Sequence, residues 1–407
     1  MDESSQVDLA TGVLAMACAR SIVIVGDLQQ LPSPLQDACT SITEPIWQQY
    51  HLDERYHFTL HNLLSSALAI WPQAPITLLR EHYRCHPKII NFCNEKFYGG
   101  RLIIMTEDHG EPDVITAWRT VLGHHARGAI NPREIETIRR EVLPSLPCEP
   151  TEIGIISPYN EQVNALHREL GGGVDVATVH KFQGREKEAI ILSTVDDQIT
   201  AFTDDPNLLN VAVSRAKRQF TLVTSSNEQP DSRNIADLLA YIDYNGGKIT
   251  ESAIHSVFDL LYEPYAEARR EFLKRHRRIS EFDSENLTYA LLERVLEADP
   301  AFRHLGVLCH QPLRQLIRDW TLLNDEERRY ASNGATHLDF LIYNRVSKRP
   351  VLAVETDGYQ FHKQGTRQSE RDRMKDRILD RYALPLLRLS TTGTDEEAKI
   401  QTLLKRN

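Results

Sequence analysis

Five short β-branched runs recur through the first part of the chain: SIVIV (21–25), EIGIIS (152–157), VDVATV (174–179), AIILSTV (189–195) and FTLVTS (220–225). Runs this short and apolar read as strands buried on both faces, and helical patterns fall between them, so the rhythm predicts a parallel sheet flanked by helices. The clearest helices are NEQVNALHREL (160–170) and NLLNVAVSRAKRQ (207–219), with Asn160 and Asn207 as expected N-caps. This α/β part is expected to end near Ser226. Residues 227–300 read as mostly helical, and RREFLKRHRR (269–278) sets six Arg or Lys in ten positions, either a solvated helix face or a phosphate-contacting surface. From about 281 the pattern changes. A helical SENLTYALLERVLEA (284–298) leads to strands HLDFLIY (337–343) and PVLAVETD (350–357), a charged helix RQSERDRMKDRILDRY (367–382) and a last strand PLLRLS (385–390).

The length of 407 residues suits two to four domains rather than one fold. Hydrophobic residues at 41% and charged residues at 26% are ordinary globular values. No apolar run approaches the ~20 residues of a membrane-spanning helix. No basic segment followed by an apolar core opens the sequence, and the six cysteines form no CxxC pair, so a soluble, reduced, cytoplasmic protein is expected. A net charge of −10 argues against non-specific coating of nucleic acid but leaves room for a locally basic channel.

Chemistry enters with IVIVGDLQQLPS (22–33), a hydrophobic run that ends in polar groups where the rim of an open α/β sheet binds ligands. It resembles the GDxxQLP motif of superfamily 1 helicases, in which the Gln, here Gln30, senses the γ-phosphate. The resemblance continues in order. LLREHYRCHPKIINFCNEKFYGGRL (78–102) looks like the fourth motif, with Arg84 as an arginine finger. ISPYNEQ (156–162) and VATVHKFQGREKEAIILSTV (176–195) resemble the next segments, with Gln183, Gly184 and Glu186 in the fifth motif, and LLNVAVSRAKRQFTLVTS (208–225) matches the sixth, with Arg215 as a second finger. Phosphoryl transfer is mostly positioning and charge stabilisation, which is why guanidinium groups aimed at a γ-phosphate are needed. About twenty residues ahead of GDxxQLP, DESSQ (2–6) fits the family's DExxQ motif, implying Asp2 and Glu3 for Mg2+ and the attacking water, and Gln6 as the third polar group. The chain is therefore expected to begin inside a first motor lobe. The P-loop that would precede DExxQ is not found, and the near match NGGKIT (245–250) reads as a turn. The resemblance also places Thr178, His180 and Lys181 near the backbone of a nucleic-acid strand.

A second constellation lies near the C-terminus. Leu338, Phe340 and Ile342 share one strand face and Asp339 the other, while Val351, Ala353, Glu355 and Asp357 line one face of the next strand. Three carboxylates can converge there, and hard oxygen ligands at this density suit Mg2+. The segment resembles the PD-(D/E)XK nuclease fold, in the branch similar to very-short-patch-repair endonucleases. That resemblance implies Asp339 and Glu355 as metal ligands, Asp357 as a supporting ligand, Glu285 as the acid from the first helix, and His362 as a polarising group. The usual Lys of the E-x-K signature is replaced by Asp357, and Lys375 on the following helix is a candidate for the cation.

The expected organisation is a truncated first RecA-like lobe (1–74), a second RecA-like lobe (75–226), a helical basic linker (227–280) and a restriction-endonuclease-like α/β domain (281–407). The function implied is the C-terminal portion of an ATP-dependent helicase-nuclease acting on nucleic acid, DNA above all, single-stranded or branched. Mg2+ is the expected cofactor, with ATP only if a P-loop half is supplied. The alternative is an inactive nucleic-acid-binding remnant, or a subunit complemented by a separately encoded N-terminal helicase half. Weak hydrogen-exchange protection is expected across residues 7–31, because the lobe's central strands are not in the sequence.

Overall fold

The computed structural model describes residues 1–32, 37–358 and 367–406, and the side chains of 37–40 and 367–370 are left aside. Its contacts divide into two compact units: Met1–Thr120 with Ala126–Ser252, and Val121–His125 with Ala253–Asn407.

The first unit carries strands β1 (Glu81–His82), β2 (Ile103–Ile104), β3 (Ile115–Thr120), β4 (Ile153–Ser157), β5 (Asp175–Thr178), β6 (Lys187–Ser193), β7 (Ala216–Ser225) and β8 (Ile249–Glu251). β1 and β2 pair alone, and the other six form a sheet in the order β5-β4-β6-β7-β3-β8. Every pairing in it is parallel. All five residues of β4 are buried, as a parallel strand covered on both faces requires. The helices are α1 (Leu9–Met16), α2 (Asp37–Tyr50), α3 (Leu63–Ile70), α4 (Pro87–Phe97), α5 (Pro132–Thr137), α6 (Asn160–Leu170), α7 (Pro206–Val213) and α8 (Asn234–Tyr244). One core layer joins Ile89, Ile90 and Phe92 of α4 and Leu209 and Val213 of α7 to Ile190 and Leu222 of the sheet; the other joins Val163 and Leu166 of α6 to Ile155 and Ile191.

Four of the five runs are strands, and SIVIV is not. Its backbone is bonded to the first residues of the chain, Met1 N to Val23 O at 2.7 Å, Val25 N to Met1 O at 2.8 Å and Ser4 N to Val25 O at 2.9 Å. No neighbouring strand covers it, so Val23 is 75% exposed. The expected caps shift as well. α6 begins at Asn160, with Tyr159 in the cap position and no side-chain bond there. Pro206 starts α7, and Asp205 rather than Asn207 caps it by accepting from Leu208 N at 2.8 Å, because proline's fixed φ suits the first helical position. α7 stops at Val213, since Ala216 already pairs with Lys187 in the sheet. NGGKIT is the turn from α8 into β8, and β8 is a strand inside a stretch expected to be helical.

Beside the end of β6 the fully buried Glu134, in the first turn of α5, accepts from Ser193 Oγ (2.5 Å), Thr194 Oγ1 (3.1 Å) and Val195 N (3.0 Å). Burial pushes this carboxyl up to about 8, against the pull of those donors. Val195 has φ 73°, a rare conformation for a β-branched residue.

The second unit has strands β9 (Leu305–Pro312), β10 (His337–Asn344), β11 (Pro350–Asp357) and β12 (Leu386–Ser390), with helices α9 (Ala266–Lys274), α10 (Asp283–Ala298), α11 (Asp325–Ser332), α12 (Arg367–Arg381) and α13 (Glu396–Arg406). The sheet order is β12-β11-β10-β9, antiparallel except for the parallel β11–β12 pair. Phe340, Ile342, Leu352 and Val354 pack against Leu292 and Val295 of α10 and Ile400 of α13. On the other face Leu341 and Ala353 pack against Met374, Ile378 and Leu379 of α12. Alternation therefore sends Asp339 and Glu355 to the α12 face.

Candidate functional site

In the first unit, two glycines bring the motif segments together. A Cβ on Gly26 would stand 3.0 Å from both Ser4 N and Ser5 N, so only glycine lets DESSQ lie against GDLQQLP. Gly184, at φ 78°, turns the chain from the one-turn helix Val179–Phe182 toward β6. Gln183 Nε2 then lies 3.5 Å from Glu3 Oε2 and 3.5 Å from Gln30 Oε1. Gln6 Nε2 donates to Glu3 Oε2 at 3.1 Å, and Asp2 Oδ1 accepts from Glu3 N at 2.9 Å. Arg84 Nε is 2.6 Å from Glu186 Oε2, whose other oxygen meets Lys217 Nζ at 2.9 Å. The buried Arg215 donates to Val211 O at 3.2 Å. Burial lowers the Arg215 guanidinium and the nearby Arg84 adds to that, while Glu3 is among the groups that oppose it. Two guanidiniums are thus gathered beside the Glu3 and glutamine cluster, an arrangement suited to the charge of a transferring phosphoryl group. Thr178 is buried at the end of β5, and His180 and Lys181 beyond it are exposed.

Sequence reasoning passed over the ties that hold this face together. Asp27 Oδ2 accepts from Gln30 Nε2 at 3.0 Å and from Tyr98 OH at 2.6 Å. Asn210 Nδ2 donates to Tyr98 OH at 2.9 Å and to Gln29 O at 2.8 Å. A lone Asn inside the apolar LLNVAV was the available signal.

In the second unit, Asp339 Oδ2 accepts from Thr356 N at 2.8 Å and Glu355 Oε1 accepts from Asp339 N at 3.3 Å, so each carboxylate is oriented by the neighbouring strand's backbone. Lys375, buried on α12, places Nζ 2.6 Å from Glu355 Oε2. Burial pushes Glu355 up to about 7, with Asp339 adding to the rise and Lys375 opposing it. Asp357 is taken up elsewhere. Arg388, in register with Glu355 on β12, sets Nη1 3.1 Å from Asp357 Oδ1 and Nη2 2.8 Å from Asp376 Oδ1. Burial would lower Arg388, but Asp376, Asp357 and Asp372 outweigh it and hold the guanidinium charged. Asp357 therefore serves Arg388 here, rather than standing free as a supporting ligand; the lone Arg in PLLRLS was the overlooked signal.

Glu285 lies in the first turn of α10, with Oε2 3.8 Å from His310 Nε2. No hydrogen bond or ion pair joins it to Asp339 or Glu355 among the described residues, and α10 packs on the opposite sheet face. His362 lies outside the described residues. A further group of metal-ligating types, His86, Asp108 and Glu111, is better satisfied without a metal. His86 Nδ1 accepts from Lys88 N at 3.2 Å, which leaves the proton on Nε2 to donate to Glu111 Oε2 at 3.2 Å.

Residues 59–227 match a family described as an AAA domain, and residues 282–406 match one described as a protein of unknown function. Together with the relatives below, the first match supports a superfamily 1 helicase C-terminal part in the first unit. An uncharacterised ATP-dependent helicase of Caenorhabditis elegans is 30% identical over 55% of this chain and 15% of its own length. The DNA replication ATP-dependent helicase/nuclease DNA2 of Gallus gallus is 29% identical over 55% of this chain and 22% of its own. The curated relatives are matched over 12% to 35% of their lengths. Among solved structures, the PRRSV helicase covers 67% of this chain and 48% of its own at 13% identity, with a TM-score of 0.30, too slight a likeness to bear on the fold. No helix among the described residues is long and apolar enough to cross a membrane.

Proposed function

We propose that the chain is the C-terminal part of an ATP-dependent helicase-nuclease acting on nucleic acid. Its first unit presents Arg84, Arg215, Gln30 and Gln183 to the γ-phosphate of ATP, and its second unit hydrolyses phosphodiester bonds with Mg2+. The observation that carries the nuclease half is the Lys375 to Glu355 contact of 2.6 Å beside Asp339. It supplies, from a helix, the cation that the strand position at Asp357 lacks.

The donor set fits a hard divalent ion. Two carboxylates share one sheet face, and Asp339 Oδ1 has no hydrogen-bond partner among the described residues. Asp339 and Glu355 would hold Mg2+, which when bound lowers the pKa of a water and stabilises the departing oxygen. Lys375 keeps Glu355 ionised and lies where a scissile phosphate would need a positive charge. Arg388 holds Asp357 aside, so the negative charge around the phosphate is kept down.

The test is cleavage of single-stranded and branched DNA by the purified chain without ATP. Cutting is expected with Mg2+ and is expected to stop with EDTA. No cutting by folded protein across Mg2+ and Mn2+ would overturn the nuclease half of the proposal. Because Glu355 titrates near 7, metal affinity is expected to rise with pH up to about 7 and then level off, measured as the Mg2+ concentration for half-maximal rate.

A further inference from the structure

Within the first unit, residues 58–62 and the stretch 201–208 help wall a cleft of about 460 Å3. Phe58 and Phe202 line it, together with His61, Asn62, His180 and Asp205. Phe202 is 50% exposed, yet it is not loose. Its ring centroid lies 5.3 Å from that of Tyr159, whose hydroxyl donates to Asp196 Oδ1 at 2.9 Å. Asp196 Oδ2 accepts in turn from Thr200 Oγ1 at 2.8 Å and Thr203 Oγ1 at 2.7 Å. One carboxylate thus staples the loop on both sides of Phe202 and fixes the ring partly in water. An aromatic group held rigidly at a cleft mouth is a platform for another flat ring.

The charges say which kind of ring. Among the described residues the lining holds no Lys or Arg, so the cleft offers a phosphate nothing. Its two acids are occupied as helix caps, Asp8 by Thr11 N at 2.9 Å and Asp205 by Leu208 N at 2.8 Å. Burial lowers His180, with Asp205 opposing, so that side chain is mostly uncharged at pH 7. The lining is therefore close to neutral, aromatic on two sides and supplied with hydrogen-bonding side chains, which suits an uncharged heterocycle. His180 also sits two residues beyond Thr178, in the segment proposed to follow a strand's backbone.

We propose that this cleft receives one base of a single-stranded nucleic acid, turned out of its stack and laid against Phe202. The proposal rests on the reading of the first unit as a nucleic-acid motor. It is tested by fluorescence-anisotropy titration of the full chain with DNA and RNA 12-mers, each intact and with every base removed, using wild type, Phe202→Ala and Phe202→Tyr. Phe202→Ala should weaken binding of the intact strand about ten-fold, the usual worth of one stacked base. Phe202→Tyr should bind as wild type does, and removing the bases should weaken wild type but not Phe202→Ala further. The DNA and RNA arms show which sugar is preferred. If intact and base-free strands bind wild type equally, or Phe202→Ala binds like wild type, the base site is overturned while the motor reading stands. If no strand binds wild type, both fall.

Discussion

Lys375→Met is expected to abolish Mg2+-dependent cleavage and, at pH 8, to destabilise the second unit by about 3 kcal/mol, the order found when one partner of a buried pair is removed. Both members of the pair are buried, at 11% and 7% side-chain exposure, so water screens them little. In wild type the Glu355 carboxyl is raised from 4.5 to about 7. A raised acid holds its proton more tightly in the fold, so this contribution is complete below pH 4.5 and is lost as pH climbs through 7. Without Lys375 the carboxyl rises further, and the loss extends to higher pH. Hydrogen exchange at β10 and β11, measured at pH 5.5 and 8, should show the variant opened mainly at pH 8. The double substitution Lys375→Met with Glu355→Gln should restore protection and leave cleavage absent. Normal cutting by Lys375→Met would mean that the ammonium serves the fold alone.

The second large effect is expected at Glu134. Glu134→Ala removes the acceptor for three donors inside a closed core, each left unsatisfied at ~1 kcal/mol or more, and should cost about 3 to 5 kcal/mol. It also releases Val195 from the carboxylate that meets its strained backbone. The pH dependence has a definite sign. The carboxyl is raised from 4.5 to about 8, so stability should fall as pH rises between those values, by at most ~1.4 kcal/mol per pH unit. Glu134→Gln, with nothing to titrate, should flatten that slope while remaining less stable than wild type near pH 5. Exchange protection of β6 and β7 across pH 5 to 8 is the readout. A wild-type profile that is flat or rises with pH would show that the three donors, and not burial, set the charge state.

The parallel-sheet rhythm was readable because β4, β6 and β7 are buried on both faces and so are written as nearly continuous apolar runs. β3, ITAWRT, was not, because its Thr, Arg and Trp leave no such run, and its place beside β7 is set by pairing across about a hundred residues. SIVIV misled for the opposite reason: its composition is that of a core strand, but a strand needs a neighbour. At the candidate sites, residue types and order identified Glu3, Gln30, Gln183, Arg84 and Arg215, which the fold gathers, and Asp339 and Glu355, which it sets side by side. Spacing alone did not reveal that Arg388 would claim Asp357, since the two are 31 positions apart and meet only through the β11–β12 register. Glu285 shows the converse limit, because helical periodicity does not say over which face of a sheet a helix will lie.

The extended stretch around Val23 and Val25 has a practical side. Its outward valines and incompletely paired backbone make an adhesive edge on an otherwise well-folded molecule. Concentrated samples should therefore drift toward oligomers through this segment while both sheets stay intact, visible as a light-scattering increase without loss of circular dichroism. Lysine at position 23 should slow that drift without touching either site, making Val23→Lys the form of choice for crystallisation and long titrations.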